Sequence, residues 1–462
     1  MKQTGIPRLL IAAPCSGCGK TTMVCALLRV LQQRKLLVEA FKNGPDYIDP
    51  MFHTQVLHTP SHNLDLFLLG RGHTGEEHVK YLLASHAEQA DIAVLEGAMG
   101  YYDGIGTTSE ASAYDLARVT QTPVILVVNG QGAALSLGAQ IRGMASFYMP
   151  SYIAGFIVNH VSAMVYAYFK EAWEQAAGIP ALGYMPDMPA CRFSSRHLGL
   201  VTAAEIDDWQ EKIDTLADTA EQTLDISGIL TIARQAPPFA YEMPSFTPMA
   251  SVRIAVARDE AFCFYYDDSL HVLELLGAQL VFFSPLHDTS LPSCDGIYIG
   301  GGYPELYASI WSQNQAMKQQ LFHAIQRGCP CIAECGGFMY LLESFQDENT
   351  AYAGVGCIAG TSHMTKRLQR FGYITLTAQE DTMVCRAGET IQAHEFHYSD
   401  STHNGTAFLA SKAQGKRTWP CIHSQDRLLA GYPHFHFLGN LAWAKRFIAQ
   451  CDAYRKEQHH EN

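Results

Sequence analysis

One segment constrains the fold of this chain more than any other: R-L-L-I-A-A-P-C-S-G-C-G-K-T-T, residues 8–22. An apolar strand, Arg8–Ala13, runs straight into a glycine-rich turn. The turn opens a helical pattern with Met23, Val24, Leu27, Leu28 and Leu31 on one face. Strand, loop and helix in that order is the context of a P-loop. Gly17 and Gly19 let backbone N–H groups turn inward on phosphate oxygens, and the helix N-terminus adds its dipole. Lys20 is placed for the β- and γ-phosphates, Thr21 offers a hydroxyl to Mg²⁺, and Thr22 continues the run. Pro14 stands where the motif usually has its first glycine. The plainer alternative is a glycine-rich turn with no ligand. Cys15 and Cys18 form a C-x-x-C, for which a redox pair or half a metal site is the alternative, but both lie inside the loop and no second pair accompanies them.

The same α/β texture extends along the chain. Apolar strands are expected at Arg8–Ala13, Leu36–Phe41, Ile92–Leu95, Val124–Val128 and Ile153–Val158, alternating with longer helical patterns. Residues Gln235–Ala250 hold four prolines and no period, and read as a linker. Alternation then resumes with Arg253–Ala257, Gln279–Phe283, Gly296–Ile299 and Cys331–Ala333. The expected organisation is a nucleotide domain over 1–234, a linker over 235–250, a second α/β domain over 251–447 and a polar tail over 448–462. Such alternation predicts parallel sheets with helices on both faces, and ligands at the carboxyl ends of the strands.

Composition removes several classes. The 462 residues carry 32 Lys+Arg against 45 Asp+Glu, a formal charge of −13, without basic blocks. Such a chain is a poor binder of nucleic acid or anionic membranes. No stretch approaches the roughly 18 apolar residues that span a bilayer. Thirteen cysteines lie without framework spacing, which fits free thiols in a reducing cytoplasm.

Acidic residues gather after the early strands. F-K-N-G-P-D-Y-I-D-P-M-F-H, Phe41–His53, places Lys42 at a strand end and Asp46 and Asp49 in the following turn. The two aspartates read equally as turn-formers. Glu96 ends the strand at Ile92–Leu95, where a P-loop protein keeps its acidic Mg²⁺ residue, and Asp103 follows in E-G-A-M-G-Y-Y-D-G. Asn159 ends a later strand and reads either as a base-edge contact or as a turn residue.

The second half carries a thiol on a turn. In A-E-C-G-G-F-M-Y-L, Ala333–Leu341, Cys335 sits between a strand and a helix pattern, with small residues that permit a strained elbow. A helix N-terminus lowers a thiol pKa. Upstream, G-G-G-Y-P-E-L, Gly300–Leu306, offers backbone N–H groups of Gly301 and Gly302 to an oxyanion. Candidate bases are His434 and His436 in G-Y-P-H-F-H-F. Metal binding by H-x-H is the alternative, without an obvious third ligand. A-H-E-F-H-Y-S, Ala393–Ser399, adds further His and Glu of undecided role.

These segments, together with A-L-G-Y-M-P-D-M-P-A (181–190), R-H-L-G-L-V-T-A-A-E (196–205) and I-A-V-A-R-D-E-A-F-C-F-Y-Y (254–266), resemble the cobyrinic acid a,c-diamide synthase family. The resemblance runs in order from about residue 8 to about residue 445. Hydrogenobyrinic acid, nickel-sirohydrochlorin and cobyric acid synthases are its near relatives. The resemblance implies a dethiobiotin-synthetase-like P-loop amide synthetase joined to a class I glutamine amidotransferase. It implies ATP and Mg²⁺, glutamine as nitrogen donor, and a corrinoid carboxylic acid as substrate. Cys335 matches the glutaminase nucleophile, His434 the strand-end histidine with His436 as its rival, and Gly301 and Gly302 the oxyanion loop. Lys20, Thr21, Lys42, Asp46, Asp49, Glu96 and Asp103 match the synthetase site, with Thr21, Asp46 and Glu96 as metal ligands and Asp49 and Asp103 for substrate or ammonia. Class I enzymes usually carry a Glu two residues after the histidine. His436 stands there, so the third triad member is missing or replaced. A P-loop switch ATPase is the reading from a different class.

Overall fold

The computed structural model describes residues 2–191, 203–347 and 350–460. Residues 196–202 of the motif at 196–205 lie outside the described residues. The chain divides into two compact units, residues 1–66 with 72–244 and residues 67–71 with 245–462.

The first unit is built on seven parallel strands: β1 (Arg8–Ala12), β2 (Val38–Asn43), β3 (Ser61–Leu64), β4 (Ile92–Glu96), β5 (Val124–Asn129), β6 (Ile153–Asn159) and β7 (Ala181–Met185). Their order is β3-β2-β4-β1-β5-β6-β7, and every neighbouring pair is parallel. Parallel neighbours need crossover connections, so helices cover the sheet and the strands become apolar throughout. β1 and β4 are buried at every position. Helix α1 (Lys20–Gln33) follows β1, α2 (Ile48–Val56) follows β2, and α3 (His73–His86) follows β3. One core packs Leu9, Ile11, Val94, Ile125, Val127 and Ile157 against Val24, Leu27, Leu28 and Leu31 of α1 and against the helices Ala203–Thr223 and Ile226–Arg234. The chain order turns back at β1, and ligand sites in open α/β sheets gather at such a reversal.

Strands β3 and β7 lie outside the expected set. S-H-N-L is short and polar, and A-L-G-Y-M carries a glycine, so neither shows a strand pattern alone. The expected linker is partly ordered: Phe239–Tyr241 pairs antiparallel with Lys2–Thr4. Arg8, fully buried, donates from its guanidinium to the carbonyls of Ile6 (3.0 Å), Thr120 (2.8 Å) and Pro237 (2.6 Å). That cation fastens the start of β1 to the proline-rich segment.

In the second unit β8 (Val252–Ala257), β9 (Ala278–Phe283), β10 (Gly296–Ile299), β11 (Cys331–Glu334) and β12 (Leu428–Gly431) form a parallel sheet. Its order is β9-β8-β10-β11-β12, with His423–Gln425 added antiparallel at the edge. Residues 342–421 depart from the expected alternation. They supply a four-stranded sheet, mostly antiparallel, and most of a five-stranded antiparallel one, which β13 (His434–Phe435) completes. Half-buried strands such as Arg370–Ala378 alternate in burial and lack the continuous apolar run of a parallel strand. The expected polar tail is also corrected. Residues 448–460 continue helix α5 (Leu441–His460), which buries Ile448, Cys451 and Tyr454. The many charged residues between those positions obscure the helix period in the sequence.

Candidate active site

Two groups of reactive side chains stand at strand ends, one in each unit. In the first unit Gly19 has φ of +90° and directly precedes α1. A Cβ on Gly19 would lie 2.2 Å from Asn159 Nδ2, so only glycine fits. Asn159 Nδ2 donates to the Cys18 carbonyl at 3.0 Å and fixes the loop from the end of β6. Gly19, Thr22 and Asn159 line a small cavity of about 40 Å³ with Met185, Pro186 and Leu216. Gly17, with φ of +80°, supplies the other left-handed turn of the loop. Lys20 Nζ donates to the carbonyls of Cys15 (3.1 Å) and Met99 (2.5 Å). Its pKa is lowered, by burial first and then by the charge of Lys42. Cys15 and Cys18 are free thiols with sulfurs 3.4 Å apart.

The acidic residues form one charged cluster at the ends of β2 and β4. Thr21 Oγ1 donates to Glu96 Oε1 at 2.6 Å, and Lys42 Nζ donates to the same oxygen at 3.0 Å. Lys42 also donates to Asp49 and lies 3.8 Å from Asp46 Oδ2. Burial alone would lower the Lys42 pKa, but Glu96, Asp49 and Asp46 outweigh it and raise it. Burial likewise disfavours the Glu96 charge, yet Lys42, His53 and Thr21 hold its pKa well below the carboxylate range. Asp49 goes the other way, pushed up to about 7 by burial and the neighbouring Glu96 charge. Two carboxylates sharing one cation split in this manner.

Asp46 does two things. Its Oδ1 accepts from the amides of Ile48 (2.8 Å) and Asp49 (3.2 Å), which opens α2, while Oδ2 faces Lys42. Asp103 serves the neighbouring loop. Its Oδ2 accepts from the Gly100 amide at 3.0 Å and shapes the loop that presents Met99 to Lys20. His53 joins the cluster although the sequence alone does not single it out. Its Nε2 faces Glu96 Oε2 at 3.5 Å, and both residues are fully buried. His53 lies four residues beyond Asp49, one turn along the same face of α2. That spacing becomes a signal only once α2 is known to be a helix. Thr21, Glu96 and Asp46 offer hard oxygen donors beside two lysines, a set that fits Mg²⁺ held with phosphates.

The second unit's group is a thiol, an imidazole and a carboxylate. Cys335 has φ of +47° and ψ of −101°, a strained conformation for a residue with a Cβ. It caps α4 (Gly336–Leu341), and its amide donates to the Gly431 carbonyl at 2.8 Å. This is the elbow expected of a nucleophile between strand and helix. The Gly300–Gly302 loop passes alongside. A Cβ on Gly301 would lie 2.6 Å from His434 Cε1 and 3.5 Å from Cys335 Cβ. A Cβ on Gly336 would lie 3.3 Å from the Gly302 amide nitrogen. The Gly300–Gly302 loop and the start of α4 therefore pack closely beside Cys335.

The structure puts His434, rather than His436, beside Cys335. His434 Nδ1 contacts Glu334 Oε2 at 3.1 Å, and Tyr298 donates to Glu334 Oε1 at 2.9 Å. Burial would lower the His434 pKa, but the Cys335 sulfur and then Glu334 raise it to about 10. His436 is engaged elsewhere. Its Nδ1 accepts from the Leu438 amide at 3.1 Å, starting the 3₁₀ turn Phe437–Asn440, and its ring lies 5.2 Å from Tyr266. The two imidazoles do not act together because the strand ends between them, at Phe435.

Glu334, which the sequence does not single out, is the carboxylate that meets His434. The class I pattern places a carboxylate two residues after the histidine, but here it comes from the residue before the cysteine. β11 and β12 are parallel neighbours with Glu334 opposite Gly431, so the end of one strand meets the chain leaving the other. His394 of the H-E-F-H-Y-S segment stacks on His434 at 5.0 Å and contacts Tyr266 Oη at 2.7 Å. Burial and then the His434 charge lower its pKa well below the usual imidazole range. Glu395 and His397 have other partners. Trp419 Nε1 donates to Glu395 Oε1 at 3.4 Å, and His397 Nδ1 meets the Ser399 carbonyl at 2.7 Å.

Comparison with known proteins covers both units. Residues 9–201 match the CobQ/CobB/MinD/ParA nucleotide binding domain, and residues 253–442 match the CobB/CobQ-like glutamine amidotransferase domain. The cobyrinate a,c-diamide synthase of Listeria innocua serovar 6a is 38% identical, over 94% of this chain and 97% of its own. That of Caldanaerobacter subterraneus subsp. tengcongensis is 37% identical, over 97% and 99%. That of Salmonella typhimurium is 40% identical, over 93% and 94%. Among the described residues no helix is long and apolar enough to cross a membrane.

Proposed function

Because this chain belongs to the cobyrinate a,c-diamide synthase family, we propose that it amidates the a- and c-acetate carboxylates of cobyrinic acid, with glutamine as nitrogen donor and ATP as activator. It is a carbon–nitrogen ligase of cobalamin biosynthesis. The observation that carries the reading is the Cys335–His434–Glu334 array joined in one chain to a nucleotide-binding domain.

The chemistry divides between the two groups. A carboxylate resists amidation because it would have to expel oxide. Its oxygen attacks the γ-phosphorus of ATP, ADP leaves, and an acyl phosphate with a good leaving group results. Ammonia then attacks the acyl carbon, phosphate departs and a proton is lost. Lys20 and Lys42 stabilise the charge of the phosphoryl transfer, and Gly17, Gly19 and Thr22 hold the phosphates. Asn159, which lines the cavity beside the loop, is the residue we assign to contact with the nucleotide base. Thr21 and Glu96, with Asp46, would hold Mg²⁺, which when bound would offset the charge of phosphate oxygens. Asp49, pushed up to about 7, is suited to orient the substrate acid or receive a proton from ammonia. Asp103 acts on the loop.

In the second unit the Cys335 thiolate attacks the amide carbon of glutamine, and the amides of Gly301, Gly302 and Gly336 supply the oxyanion's donors. His434 gives its proton to the departing ammonia, then takes one from the water that hydrolyses the thioester, releasing glutamate. Glu334 holds the imidazole and its charge. A free thiol is only a few per cent ionised at pH 7, so the His434 pairing supplies the thiolate.

The test is to incubate the purified protein with Mg-ATP, glutamine and cobyrinic acid and to follow product mass. Conversion of two carboxylates to amides through a mono-amide is the expected result. Turnover of hydrogenobyrinic acid or nickel-sirohydrochlorin alone would keep the mechanism and move the substrate. ATP hydrolysis with no amidation of any of the three would overturn the reading in favour of a switch ATPase.

A further inference from the structure

Three metal-ligating side chains outside both reactive groups converge in the first unit. Glu39 stands near the start of β2, His62 lies in the edge strand β3, and His86 is the last residue of α3. In the parallel register His62 lies opposite Phe41, two residues on from Glu39. Residues two apart on a strand share a face, so Glu39 and His62 rise from one side of the sheet. The end of α3 brings His86 to them. Glu39 Oε1 and His62 Nε2 are 3.2 Å apart, and the His62 and His86 rings stack at 3.5 Å with 16° between their planes. One ligand atom from each of the three lies within 4.8 Å of the others. The Glu39 and His62 side chains are 13% and 14% exposed, shielded but reachable.

These distances suit a small ion. Bonds of about 2.0–2.2 Å in a tetrahedral site hold ligand atoms roughly 3.3 Å apart. The Glu39–His62 pair is already at that spacing. The stacked His62 and His86 rings must turn relative to one another for both to ligate one ion. Two imidazoles and one carboxylate select a borderline ion of the Zn²⁺ class over Mg²⁺, which takes oxygen ligands. Three protein ligands leave a fourth position for water. The place differs from the nucleotide group as well. Lys42 is three residues further along β2, roughly 10 Å away at the carboxyl end. The three ligands come from β2, from the sheet's edge strand and from the helix that follows it, so an ion here would fasten the edge of the sheet.

We infer that Glu39, His62 and His86 form a binding site for a divalent ion of the Zn²⁺ class, which clamps β3 and α3 to β2. This does not depend on the amidation chemistry. Thirteen thiols elsewhere also attract zinc, so the test must separate ligand types. The full chain, stripped with chelator and kept in excess Mg²⁺, is titrated with Zn²⁺ and separately with Co²⁺, alongside His86→Gln and Glu39→Gln. The expected result is one more equivalent of Zn²⁺ on the wild type than on either variant, or at least tenfold tighter binding of that equivalent. The Co²⁺ bands lost with the variants should lack sulfur-to-metal charge transfer, and the rise in thermal midpoint with Zn²⁺ should shrink in both. Equal stoichiometry and affinity in wild type and both variants would overturn the proposal. So would variant-sensitive Co²⁺ bands of thiolate origin. If His86→Gln fails to fold, Glu39→Gln, nearly isosteric, carries the comparison alone.

Discussion

Glu334 and Lys42 show how single buried charges set the chemistry of each group. Glu334 accepts from Tyr298 and holds the Nδ1 side of His434. Glu334→Gln keeps the shape but removes the charge that holds the imidazolium, and glutamine hydrolysis should fall by about 10²–10⁴. The pH profile gives a second readout. His434 is raised to about 10 in the folded chain, against about 6.5 unfolded. A raised pKa adds stability that is complete below about 6.5 and lost as pH rises through about 10. The alkaline limb of glutamine hydrolysis should therefore lie near pH 10 and move down in Glu334→Gln; an unmoved limb would contradict the pairing. Lys42 is likewise raised, as the shared partner of Asp49 and Glu96. Lys42→Met would leave two buried carboxylates uncompensated. The first unit should lose about 3–5 kcal/mol in denaturant unfolding, and ATP-dependent amidation should vanish.

Both groups of reactive side chains sit at element ends, and element packing decides how those ends are held. The elbow at Cys335 works because α4 starts there while the amide of Cys335 is tied to Gly431 of β12. The glycine-rich loop is held in shape because Asn159, at the end of β6, ties the Cys18 carbonyl just before α1. Helix α5 supports the second sheet from outside. A Cβ on Gly296 of β10 would lie 2.4 Å from Cys451 Sγ, so helix and strand are in close contact. Ending the chain after residue 447 removes buried Ile448, Cys451 and Tyr454. Each large buried side chain contributes about 1.5–3 kcal/mol. The truncated chain should unfold at clearly lower denaturant concentration and lose glutaminase activity; a full-length midpoint would show that these residues are dispensable.

At the scale of the whole molecule the two units divide one reaction into two that can be measured apart. Cys335→Ala should abolish amidation driven by glutamine while leaving amidation driven by added ammonium, because the synthetase group contains no part of the thiol chemistry. Loss of both would place Cys335 in a structural role. Ammonia is mostly protonated in water and then non-nucleophilic, which favours delivery without release to solvent. With labelled glutamine and unlabelled ammonium at low concentration, the product amide should keep the glutamine label. Dilution of that label in proportion to free ammonium would exclude protected delivery.

Much of the fold and of both sites is local enough to be legible in the sequence. The strand, glycine-rich turn and helix of residues 8–33 are set by neighbours along the chain: apolar runs, glycines at left-handed positions and a helical period. The same holds for Cys335 between β11 and α4, and for the strands at Ile92 and Val124. What stays hidden depends on which distant segments lie side by side. Glu334 and His434 are 100 positions apart, and they meet only because β11 and β12 are neighbours in the sheet. His434 and His436 are alike in sequence, and the end of strand β13 alone gives them different partners. Thr21, Lys42 and Glu96 share one oxygen because β1, β2 and β4 end together. The residue types determined what chemistry was available. Strand order decided which groups face each other, since a charge, a thiol and an imidazole act only over a few ångströms, and the chain's own pattern does not encode that distance.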